Sequence, residues 1–548
     1  MRYLLLLLVP LALSACTTQA GATQQTAAEA DESPRPNIIL FLVDDMGWQD
    51  TSVQFGPERT FWNDHYRTPN MQRLADRGVK FTNAYAASPV CSPTRCAILT
   101  GQNPARTGIT DWVGHGISEN EQLRSPEWTE QGLQPGDGNI TLPAVLREHG
   151  YLTAHVGKAH FGAAGTEGAE PMTLGFEINI GGSHVGHPHG QGRQGAYFAP
   201  FPENVHPGLE DYPAGTYITD ALTQEALKVI DSAIEQEVPL FLHLAHYAVH
   251  TPLAGQGDPR FLDNYPDDLS PVERDYAAMV ESMDASLGAV MDHLEERGIA
   301  DNTIIIFFSD NGGLSNHSRA TTDGNNSDAW EHNWHNAPAF SGKGSGYDGG
   351  LRVPMIVAWA GTKHPGDEID PRTGEPNRWL DIPWREVCEE PVHAVDLFPT
   401  ILTIAGVINP VPDDEVDGIE LTHALMGLHI DDAVRPNGLF WHYPHQWHNG
   451  RHATREAGIR PFSAVRRGDW KLIYFYTPGG GGCELYNLAD DPGEQVNLAE
   501  DAEHLETRQR MIGLLLDRLI GTDAALPIDK ATGDPFDLLS HLIEEVGR

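Results

Sequence analysis

The sequence predicts an α/β protein built on a parallel sheet that helices cover on both faces. Short, mainly apolar runs of strand length recur along the chain, at residues 37–43, 151–156, 239–245 and 302–308. Patterns of helical period lie between them, which is the order expected of parallel strands joined by helices. Because parallel strands present functional residues at their carboxyl ends, the polar residues after each run are the first candidates for a site.

The length of the chain favours two unequal domains. Its 548 residues are too many for one ordinary domain, and 40% of them are hydrophobic, as in a folded globular protein. From about residue 430 the apolar runs become short and strand-like, and a helical pattern covers residues 505–520. We therefore predict a large domain over residues 36–430, which carries the site, and a smaller α+β subdomain over residues 431–548, with a short antiparallel sheet and a helix on it.

The first residues predict export and a lipid anchor. A basic start precedes an apolar run over residues 4–13, which is too short to span a bilayer and is typical of a signal peptide. Leu13-Ser14-Ala15-Cys16 resembles the lipobox of bacterial lipoproteins, which implies removal of residues 1–15 and a lipid on Cys16. An ordinary secretory signal with an incidental cysteine is the alternative. Residues 16–35 are typical of a flexible tether, so we expect a protein of the outer membrane or periplasm whose lipid is its membrane contact.

The net charge and the spacing of the cysteines argue against several kinds of partner and site. The net charge is −41, so the chain has no broad basic face and we expect no nucleic-acid partner. An anionic substrate then needs a local cationic pocket. So acidic a surface suits a salty environment, where screening shortens the reach of charge to about 10 Å or less. The cysteines other than Cys16 are too few and scattered for a disulfide framework, and they form no Cys-x-x-Cys pair of a structural zinc site.

Oxygen-bearing side chains follow two of the apolar runs. Asp44 and Asp45 come directly after the first run, and Asp310 and Asn311 come just after the fourth. Two adjacent carboxylates at a buried strand end repel each other unless a cation neutralises them, although an exposed acidic turn would also explain this pair. The four residues offer hard oxygen ligands and no softer one, which favours calcium or magnesium over zinc.

Cys91 lies at a predicted junction between a loop and a helix. The prolines around it favour an extended approach, and the apolar stretch after Arg95 is typical of one buried helical start. The free N–H groups of a helix start favour an anion, and Arg95, one turn on, adds a guanidinium beside the sulfur. A buried structural cysteine is the alternative when this stretch is taken alone.

Further basic and acid–base side chains follow other runs. Lys158 and His160 come after the second run and share one face if the chain stays extended. His250 follows the third run, and Lys343 lies in a glycine-dense loop that allows a close backbone approach to a ligand. Around a metal ion, these side chains would form a cationic pocket with acid–base capacity, which favours an oxyanion ester as the substrate.

Several short motifs resemble those of the type I sulfatases, in that family's order along the chain. Cys91-Ser92-Pro93-Thr94-Arg95, followed by Leu99-Thr100-Gly101, is similar to the family's signature, and residues 150–162 are similar to its second motif. The other similar segments are Asp44-Asp45-Met46-Gly47, His250-Thr251-Pro252, Ser309-Asp310-Asn311-Gly312, residues 343–354 and residues 484–492. The resemblance covers residues 36–500.

The resemblance implies an alkaline-phosphatase-like fold, in which helices sandwich a large mixed sheet, and a sulfuric ester hydrolase. It implies that a formylglycine-generating or anaerobic maturation enzyme converts Cys91 to formylglycine (3-oxoalanine), whose hydrate is the nucleophile. It also implies one calcium ion, held by Asp44, Asp45, Cys91 after conversion, Asp310 and Asn311.

The resemblance further implies a role for each remaining residue of the pocket. One hydroxyl of the hydrate attacks sulfur, Lys158 and Lys343 hold sulfate oxygens, and His250 protonates the departing sugar oxygen. The second hydroxyl, deprotonated with help from His160, expels sulfate, while Arg95 steadies the hydrate.

Two positions depart from the family's pattern. Ala159 stands where an aromatic residue is common, and Asp348 stands where glutamate is common. Neither change removes a catalytic group, and both are expected to reshape the pocket wall.

The expected substrate is a sulfated saccharide. Segments around residues 181–183, 197–200 and 217–220 look like those of bacterial polysaccharide sulfatases, and the acidic surface suits a marine source, hence an algal galactan or ulvan. The candidate sugar contacts are Trp112, Ser183, His184, His442 and His445, with ordinary core positions as the alternative for the aromatic residues. The spacing of the histidines over residues 181–190 fits no helix or strand face, so we interpret that segment as a substrate-lining loop and not as a metal site.

Two other functions stay open. Phosphonate monoester and phosphodiester hydrolases share the cysteine motif and the metal site of the sulfatases. An unmatured, lipid-anchored glycan-binding protein would keep the pocket without the aldehyde.

Overall fold

The apolar runs become the central strands of an eight-stranded sheet. A computed structural model describes residues 35–119, 122–134, 140–267, 269–315, 334–363, 380–412, 415–431, 433–446, 459–477, 481–538 and 540–542. In chain order the strands are β1 (Asn37–Val43), β2 (Gly78–Phe81), β3 (Ala84–Tyr85), β4 (Leu123–Arg124), β5 (Leu152–Gly157), β6 (Ile178–Ile180), β7 (Leu240–Ala245), β8 (Thr303–Ser309), β9 (Met355–Trp359), β10 (Glu386–Cys388), β11 (Val392–His393), β12 (Leu439–Tyr443), β13 (Phe462–Arg467), β14 (Trp470–Phe475), β15 (Gly482–Asn487) and β16 (Ile528–Asp529).

The helices lie where the sequence shows helical period. They are α1 (Phe61–His65), α2 (Pro69–Ala75), α3 (Cys91–Thr100), α4 (Pro104–Thr107), α5 (Leu142–Glu148), α6 (Ile218–Gln236), α7 (Pro271–Glu296), α8 (Asp348–Leu351), α9 (Leu397–Ile404), α10 (Thr422–Leu425) and α11 (Leu505–Gly521). Start signals such as Pro69 in α2 and the side-chain cap of Ser270 before α7 fix several of their ends.

The main sheet has the strand order β10-β2-β9-β8-β1-β7-β5-β6. Strand β1 runs parallel to β7 and β8, and β5 runs parallel to β6 and β7. The prediction of a wholly parallel sheet is wrong at β9, which is antiparallel to β8 and β2. The physical reason is that β9 begins beside the carboxyl end of β8, with Met355 opposite Phe308, so the two strands run in opposite directions. The mixed sheet that the resemblance implies is confirmed.

Helices and loops bury both faces of this sheet. Ile39, Phe41 and Val43 of β1 belong to one apolar core, and the alternate residues Ile38, Leu40 and Leu42 belong to the other. This period of two on a wholly apolar strand is what a strand buried on both faces requires.

A four-stranded antiparallel sheet, in the order β12-β13-β14-β15, forms the predicted smaller sheet. One face packs on α11, through a core that includes Val465, Leu472 and Leu515. A second core places Trp441 and Phe462 against Val90, the residue before α3, so the sheet lies directly behind the start of that helix. The antiparallel sheet with its helix is therefore confirmed, whereas the boundary at residue 430 stays a prediction.

Residues 1–34 lie outside the described residues. The predictions of a signal peptide, of most of the tether and of the lipid on Cys16 concern this segment and stay predictions. Among the helices that the structure describes, none combines the length and the hydropathy that crossing a bilayer requires.

Candidate active site

The strand ends bring the candidate acidic residues into one buried group. Asp44 and Asp45 follow β1, and Asp310 and Asn311 follow its neighbour β8. The backbone N–H of Asp45 donates to Oδ1 of Asp310 at 3.1 Å, and Nδ2 of Asn311 donates to Oδ1 of Asp45 at 2.8 Å. Asp45 has φ of 62°, a left-handed conformation that aspartate tolerates better than most residues. All four side chains are fully buried, so the exposed-turn alternative for Asp44 and Asp45 is wrong.

Three buried cations balance the three carboxylates. Nζ of Lys158, which follows β5, lies 2.9 and 2.8 Å from the two oxygens of Asp44. Nε of Arg95 lies 2.8 Å from Oδ2 of Asp310, and Nζ of Lys343 lies 2.5 Å from Oδ1 of Asp45. We call these three ion pairs, together with Asn311, the site cluster; its residues are Asp44, Asp45, Asp310, Asn311, Arg95, Lys158 and Lys343. Its formal charges cancel, so a bound divalent cation would leave an excess positive charge that attracts an anionic ester.

The donor set of the cluster fits a metal ion. Among the described residues, Oδ2 of Asp45 and Oδ1 of Asn311 are buried oxygens without a hydrogen-bond partner. Ligand atoms of Asp44, Asp45 and His250 also lie within 4.8 Å of one another. Since a buried unpaired oxygen is costly, these atoms are accounted for by a cation that prefers oxygen ligands. The sequence did not predict His250 in this group.

Cys91 is the first residue of α3 and is only 3% exposed. Its Sγ lies 3.5 Å from Nδ1 of His160. Burial raises the pKa of the thiol, and this effect outweighs the nearby ammonium groups of Lys158 and Lys343, which lower it. An unmodified Cys91 is therefore protonated at neutral pH and is a weak nucleophile.

Arg95 ties α3 to the end of β5. Besides Asp310, it donates from Nη1 to the backbone carbonyl of Lys158 at 2.7 Å. Its Nη2 lies 3.8 Å from Oδ1 of Asp44. One guanidinium thus fixes Cys91's helix, the Lys158 loop and two carboxylates relative to one another.

Two histidines flank this cluster, and both are neutral in this environment. Burial and the Lys158 ammonium hold the pKa of His160 well below its usual range. Burial and the Lys343 ammonium lower the pKa of His250 to about 3. Nδ1 of His250 is within 2.8 Å of the Thr251 carbonyl, which assigns the proton to that nitrogen, and Nε2 faces Oδ2 of Asp45 at 3.6 Å. An anionic ligand beside Nε2 would raise this pKa and allow the ring to carry a second proton.

Two models of known protein families match this chain. The model of the Sulfatase family matches residues 36–407, and a model described as N-sulphoglucosamine sulphohydrolase, C-terminal, matches residues 379–519. The chain belongs to the Sulfatase family. It is therefore a sulfuric ester hydrolase, and the site cluster lies within the matched segment.

Similar proteins come from bacteria and animals. A sulfatase of Formosa agariphila is 29% identical over 89% of this chain and 88% of its own length. The N-acetylgalactosamine-6-sulfatase of Mus musculus is 30% identical over 85% of this chain and 82% of its own length. A crystal structure of Ps i-CgsB in complex with k-i-k-neocarrahexaose superposes with a TM-score of 0.65 at 25% identity, over 89% of this chain and 93% of that one.

The structure places two predicted sugar contacts of this sulfatase inside the core. His442 and His445 are 2% and 0% exposed. His442 bonds to Ser463 and to the Ala525 carbonyl at 2.7 and 2.9 Å, and His445 bonds to the hydroxyls of Thr110 and Ser125 at 2.7 and 3.0 Å. This corrects the prediction that they contact a sugar, because every ring nitrogen already has a protein partner.

The other predicted sugar contacts lie closer to the cluster. Trp112 is partly buried and stacks on His115 with 3.9 Å between ring centroids, and the next residue, Val113, donates its N–H to the hydroxyl of Ser92. The carbonyl of Ser183 accepts from the His160 N–H at 3.0 Å. His184 is partly exposed on the same loop. Their contact with a sugar stays a prediction.

Both departures from the family's pattern lie away from the pocket wall. Ala159 is fully buried in the core on one face of the sheet. Asp348 is 1% exposed and accepts from Nζ of Lys471 at 2.7 Å and from the Tyr85 hydroxyl at 2.9 Å. The prediction that they reshape the pocket wall is wrong, because both side chains face packed protein.

Sequence reasoning missed the roles of Tyr197, which it noted only as part of a family-like segment, and of Asp111. The hydroxyl of Tyr197 donates to the carbonyls of Tyr247 and His250 at 2.8 and 2.6 Å, which holds the turn that carries His250. Asp111 is buried and lies 2.7 Å from Nδ1 of His115, beside Trp112. Neither residue follows a predicted strand, so position along the chain gave no signal for them.

Proposed function

We propose that this sulfatase removes sulfate from a sulfated polysaccharide or its oligosaccharides, through a formylglycine at residue 91 and one calcium ion. The observation that carries the proposal is the position of Cys91. It is buried at the start of α3, 3.5 Å from a neutral histidine and beside a charge-balanced cluster with unpaired oxygens. A protonated thiol is a weak nucleophile at this position, whereas a hydrated aldehyde places a hydroxyl group there.

Calcium would be held by Asp44, Asp45, Asp310 and Asn311, together with residue 91 after conversion. When bound, the ion supplies a Lewis acid that stabilises negative charge on oxygen, and the converted residue supplies the nucleophilic hydroxyl. The net reaction takes up one water and yields the free sugar alcohol, sulfate and one proton.

The chain's own residues perform the remaining tasks. Lys158 and Lys343 are fixed ammonium groups that bind the oxygens of the sulfate ester. His250 carries a proton on Nε2 to the departing sugar oxygen, since its Nδ1 is engaged with Thr251. His160 is neutral and accepts a proton at residue 91.

Arg95 is a positioning residue in this proposal. It bonds to Asp310 and to the Lys158 backbone, so it keeps the nucleophile, a metal ligand and a sulfate-binding lysine in register. Its charge also offsets the carboxylates while the cluster is buried.

The substrate class draws on several kinds of support. The relatives above include an N-acetylgalactosamine-6-sulfatase and a structure that holds an oligosaccharide. The acidic composition and the lipobox-like start of the chain favour an exported, lipid-anchored enzyme of a marine bacterium. We infer an algal galactan or ulvan sulfate as the natural substrate class.

The first experiment is mass spectrometry of the peptide around Cys91, from protein expressed with a formylglycine-generating enzyme. It is combined with measurement of sulfate release from algal galactans, ulvan, N-acetylgalactosamine 6-sulfate and a phosphonate monoester. We expect the mass of an aldehyde at residue 91, sulfate release that Cys91→Ala abolishes, and loss of activity on chelation that calcium restores.

Other outcomes would overturn the proposal in different ways. Preferential cleavage of the phosphonate monoester would favour the alternative hydrolase. A thiol that stays unmodified, with no hydrolysis of any ester, would favour a glycan-binding protein.

A further inference from the structure

A loop of histidines lies beside the proposed proton donor. We call residues 181–190 the histidine loop. The rings of His187 and His189 lie 4.3 Å apart between centroids, and the ring of His187 lies 6.2 Å from that of His250. Both His187 and His189 are exposed, whereas His250 is mostly buried. The pair therefore lies on the solvent-exposed side of His250.

The histidine loop is held firmly against the site. The His160 N–H donates to the Ser183 carbonyl at 3.0 Å. Gly186 packs on the ring of His160 so closely that a Cβ there would lie 2.7 Å from Cε1. On the far side, the backbone N–H of His189 donates to Nε2 of His206 at 2.9 Å. His187 and His189 are thus fixed in position relative to His160 and His250.

The imidazoles of His187 and His189 contact other histidine rings. In the part of the chain that the structure describes, the side chains of His184, His187 and His189 make neither a hydrogen bond nor an ion pair. The ring N–H groups of the loop therefore face solvent and remain available to a ligand.

The chemistry of the loop suits an oxyanion. Imidazole N–H groups donate to sulfate and carboxylate oxygens, and two of them on adjacent rings can hold one such group. A metal ion is a poorer fit. Among the described residues, the group of ligands close enough to share an ion is Asp44, Asp45 and His250, and it includes no histidine of the loop.

We propose that His187 and His189 bind a second oxyanion of the substrate, a sulfate or carboxylate on the sugar that carries the scissile sulfate or on its neighbour. The inference rests on the proposed function and narrows it, because it assigns the enzyme to saccharides with two anionic groups close together. His187 and His189 are then specificity residues. The scissile sulfate itself stays with Lys158 and Lys343.

The test compares matched saccharides that differ in one anionic group. Disaccharides of one sugar sequence with one sulfate, with two sulfates, or with one sulfate and one carboxylate are used as competitors of 4-methylumbelliferyl sulfate hydrolysis by the mature enzyme. For the wild type, we expect the inhibition constant of at least one doubly charged disaccharide to be lower than that of the monosulfated one. In His187→Ala/His189→Ala we expect this ratio to change about tenfold towards unity, as for the loss of charge-assisted hydrogen bonds.

Two further variants separate recognition from loop structure. His187→Gln keeps an N–H donor and should recover part of the preference for the second anionic group. His423→Ala replaces an exposed histidine of α10 and should leave the ratio as in the wild type. The second sulfate and the carboxylate are distinguished by which doubly charged disaccharide shows the change.

The outcomes separate this inference from the proposed function. An unchanged ratio in the double variant would overturn the inference while leaving the sulfatase proposal intact. If the mature wild type hydrolysed no sulfate ester, the proposed function would fail. Calorimetric binding of the same disaccharides to wild type and double variant would then decide whether the loop recognises a second anion.

Discussion

Two clusters of buried charge in this protein have opposite characters. The site cluster leaves oxygens of Asp45 and Asn311 and one guanidinium nitrogen of Arg95 without hydrogen-bond partners among the described residues. The second cluster, Asp348, Lys471 and Glu494, lies between α8 and the small sheet, and we call it the anchor cluster. Its four carboxylate oxygens each have a donor, from Lys471 to both residues, from the Tyr85 hydroxyl and from the Asp348 N–H.

The difference shows that buried charged side chains can either form a binding site or stabilise the fold. Both clusters are desolvated, which is costly for any charge. In the anchor cluster, hydrogen bonds from protein donors to every carboxylate oxygen offset the desolvation. In the site cluster they offset it only partly, so a cation and an anionic ester are the groups that would satisfy the remaining polar atoms. The predictions below test this distinction, from the largest expected effect to the smallest.

The largest effect is expected at the anchor cluster. Lys471→Met removes the ammonium group that bonds to both buried carboxylates and leaves Asp348 paired only with the more distant guanidinium of Arg352, 3.9 Å from its Oδ2. We therefore expect the free energy of unfolding to fall by about 3–5 kcal/mol. Chemical denaturation at neutral pH measures it. Lys363→Met, on an exposed lysine, is the matched control and should change stability by less than about 0.5 kcal/mol. Adding Asp348→Asn and Glu494→Gln to Lys471→Met should restore part of the loss.

The site cluster should respond in activity and not in stability. Lys343→Ala removes a fixed positive charge from the proposed sulfate site, and we expect kcat/KM for a sulfate ester to fall by about a hundred- to a thousandfold. The calcium-bound variant should keep most of its stability, because the ion offsets the charge of Asp45. Steady-state kinetics and denaturation in calcium check both statements. A loss of stability as large as that of Lys471→Met would show that the two clusters do not differ.

A smaller effect concerns the unpaired oxygens of the site cluster. Calcium at a hundredfold excess over its Kd should raise the free energy of unfolding by about 2.7 kcal/mol. Asn311→Leu removes one of these oxygens and should weaken the response, whereas Asp348→Asn in the anchor cluster should retain it. Thermal unfolding of chelator-treated protein across a calcium titration gives the shift. Equal responses in the two variants would contradict the assignment.

The smallest effect is expected from removing one of the buried histidines that belong to neither cluster. Burial lowers the pKa of His155 and His246 to about 3 and that of His442 and His445 to about 4. These folded-state values lie below the unfolded value of about 6.5, so the unfolded chain binds more protons below that pH. Stability is therefore full above pH 6.5 and is lost as the pH falls, by about 1.4 kcal/mol per pH unit for each such histidine.

Denaturation between pH 7 and pH 5 measures this slope. His246→Gln removes one of the four titrating rings and should make the slope shallower. An equal slope in the wild type and in His246→Gln would contradict the lowered pKa of His246.

The sequence predicted the parts of this protein that follow directly from strand order. Asp44, Asp310, Lys158 and His250 come after apolar runs, and strands that lie parallel in one sheet bring such residues to one edge. The helix predicted over residues 505–520 is also found, as α11 (Leu505–Gly521), because its apolar residues recur with helical period. Cys91 begins a helix, as the surrounding prolines and the following apolar stretch predicted.

The sequence failed where the outcome depends on contacts between distant segments. The direction of β9 depends on how the chain returns from β8, which no local pattern records. His442 and His445 lie in a stretch rich in aromatic and polar residues, which suggested a sugar site. Their ring nitrogens are instead hydrogen-bonded to Thr110, Ser125 and Ser463. Asp348 follows a glycine-rich loop that suggests a ligand, yet Lys471, over a hundred residues away, determines its role.

The burial of Cys91 bears on whether its conversion comes before or after folding. Its side chain is 3% exposed, Arg95 fixes its helix from within, and the small sheet packs behind Val90. The folded protein therefore presents only a small part of that side chain to a maturation enzyme. We infer that the proposed oxidation reaches the chain while residues 87–101 are still extended, before β12–β15 assemble behind them. Folding and maturation then compete in time, and molecules that fold first would be permanently inactive.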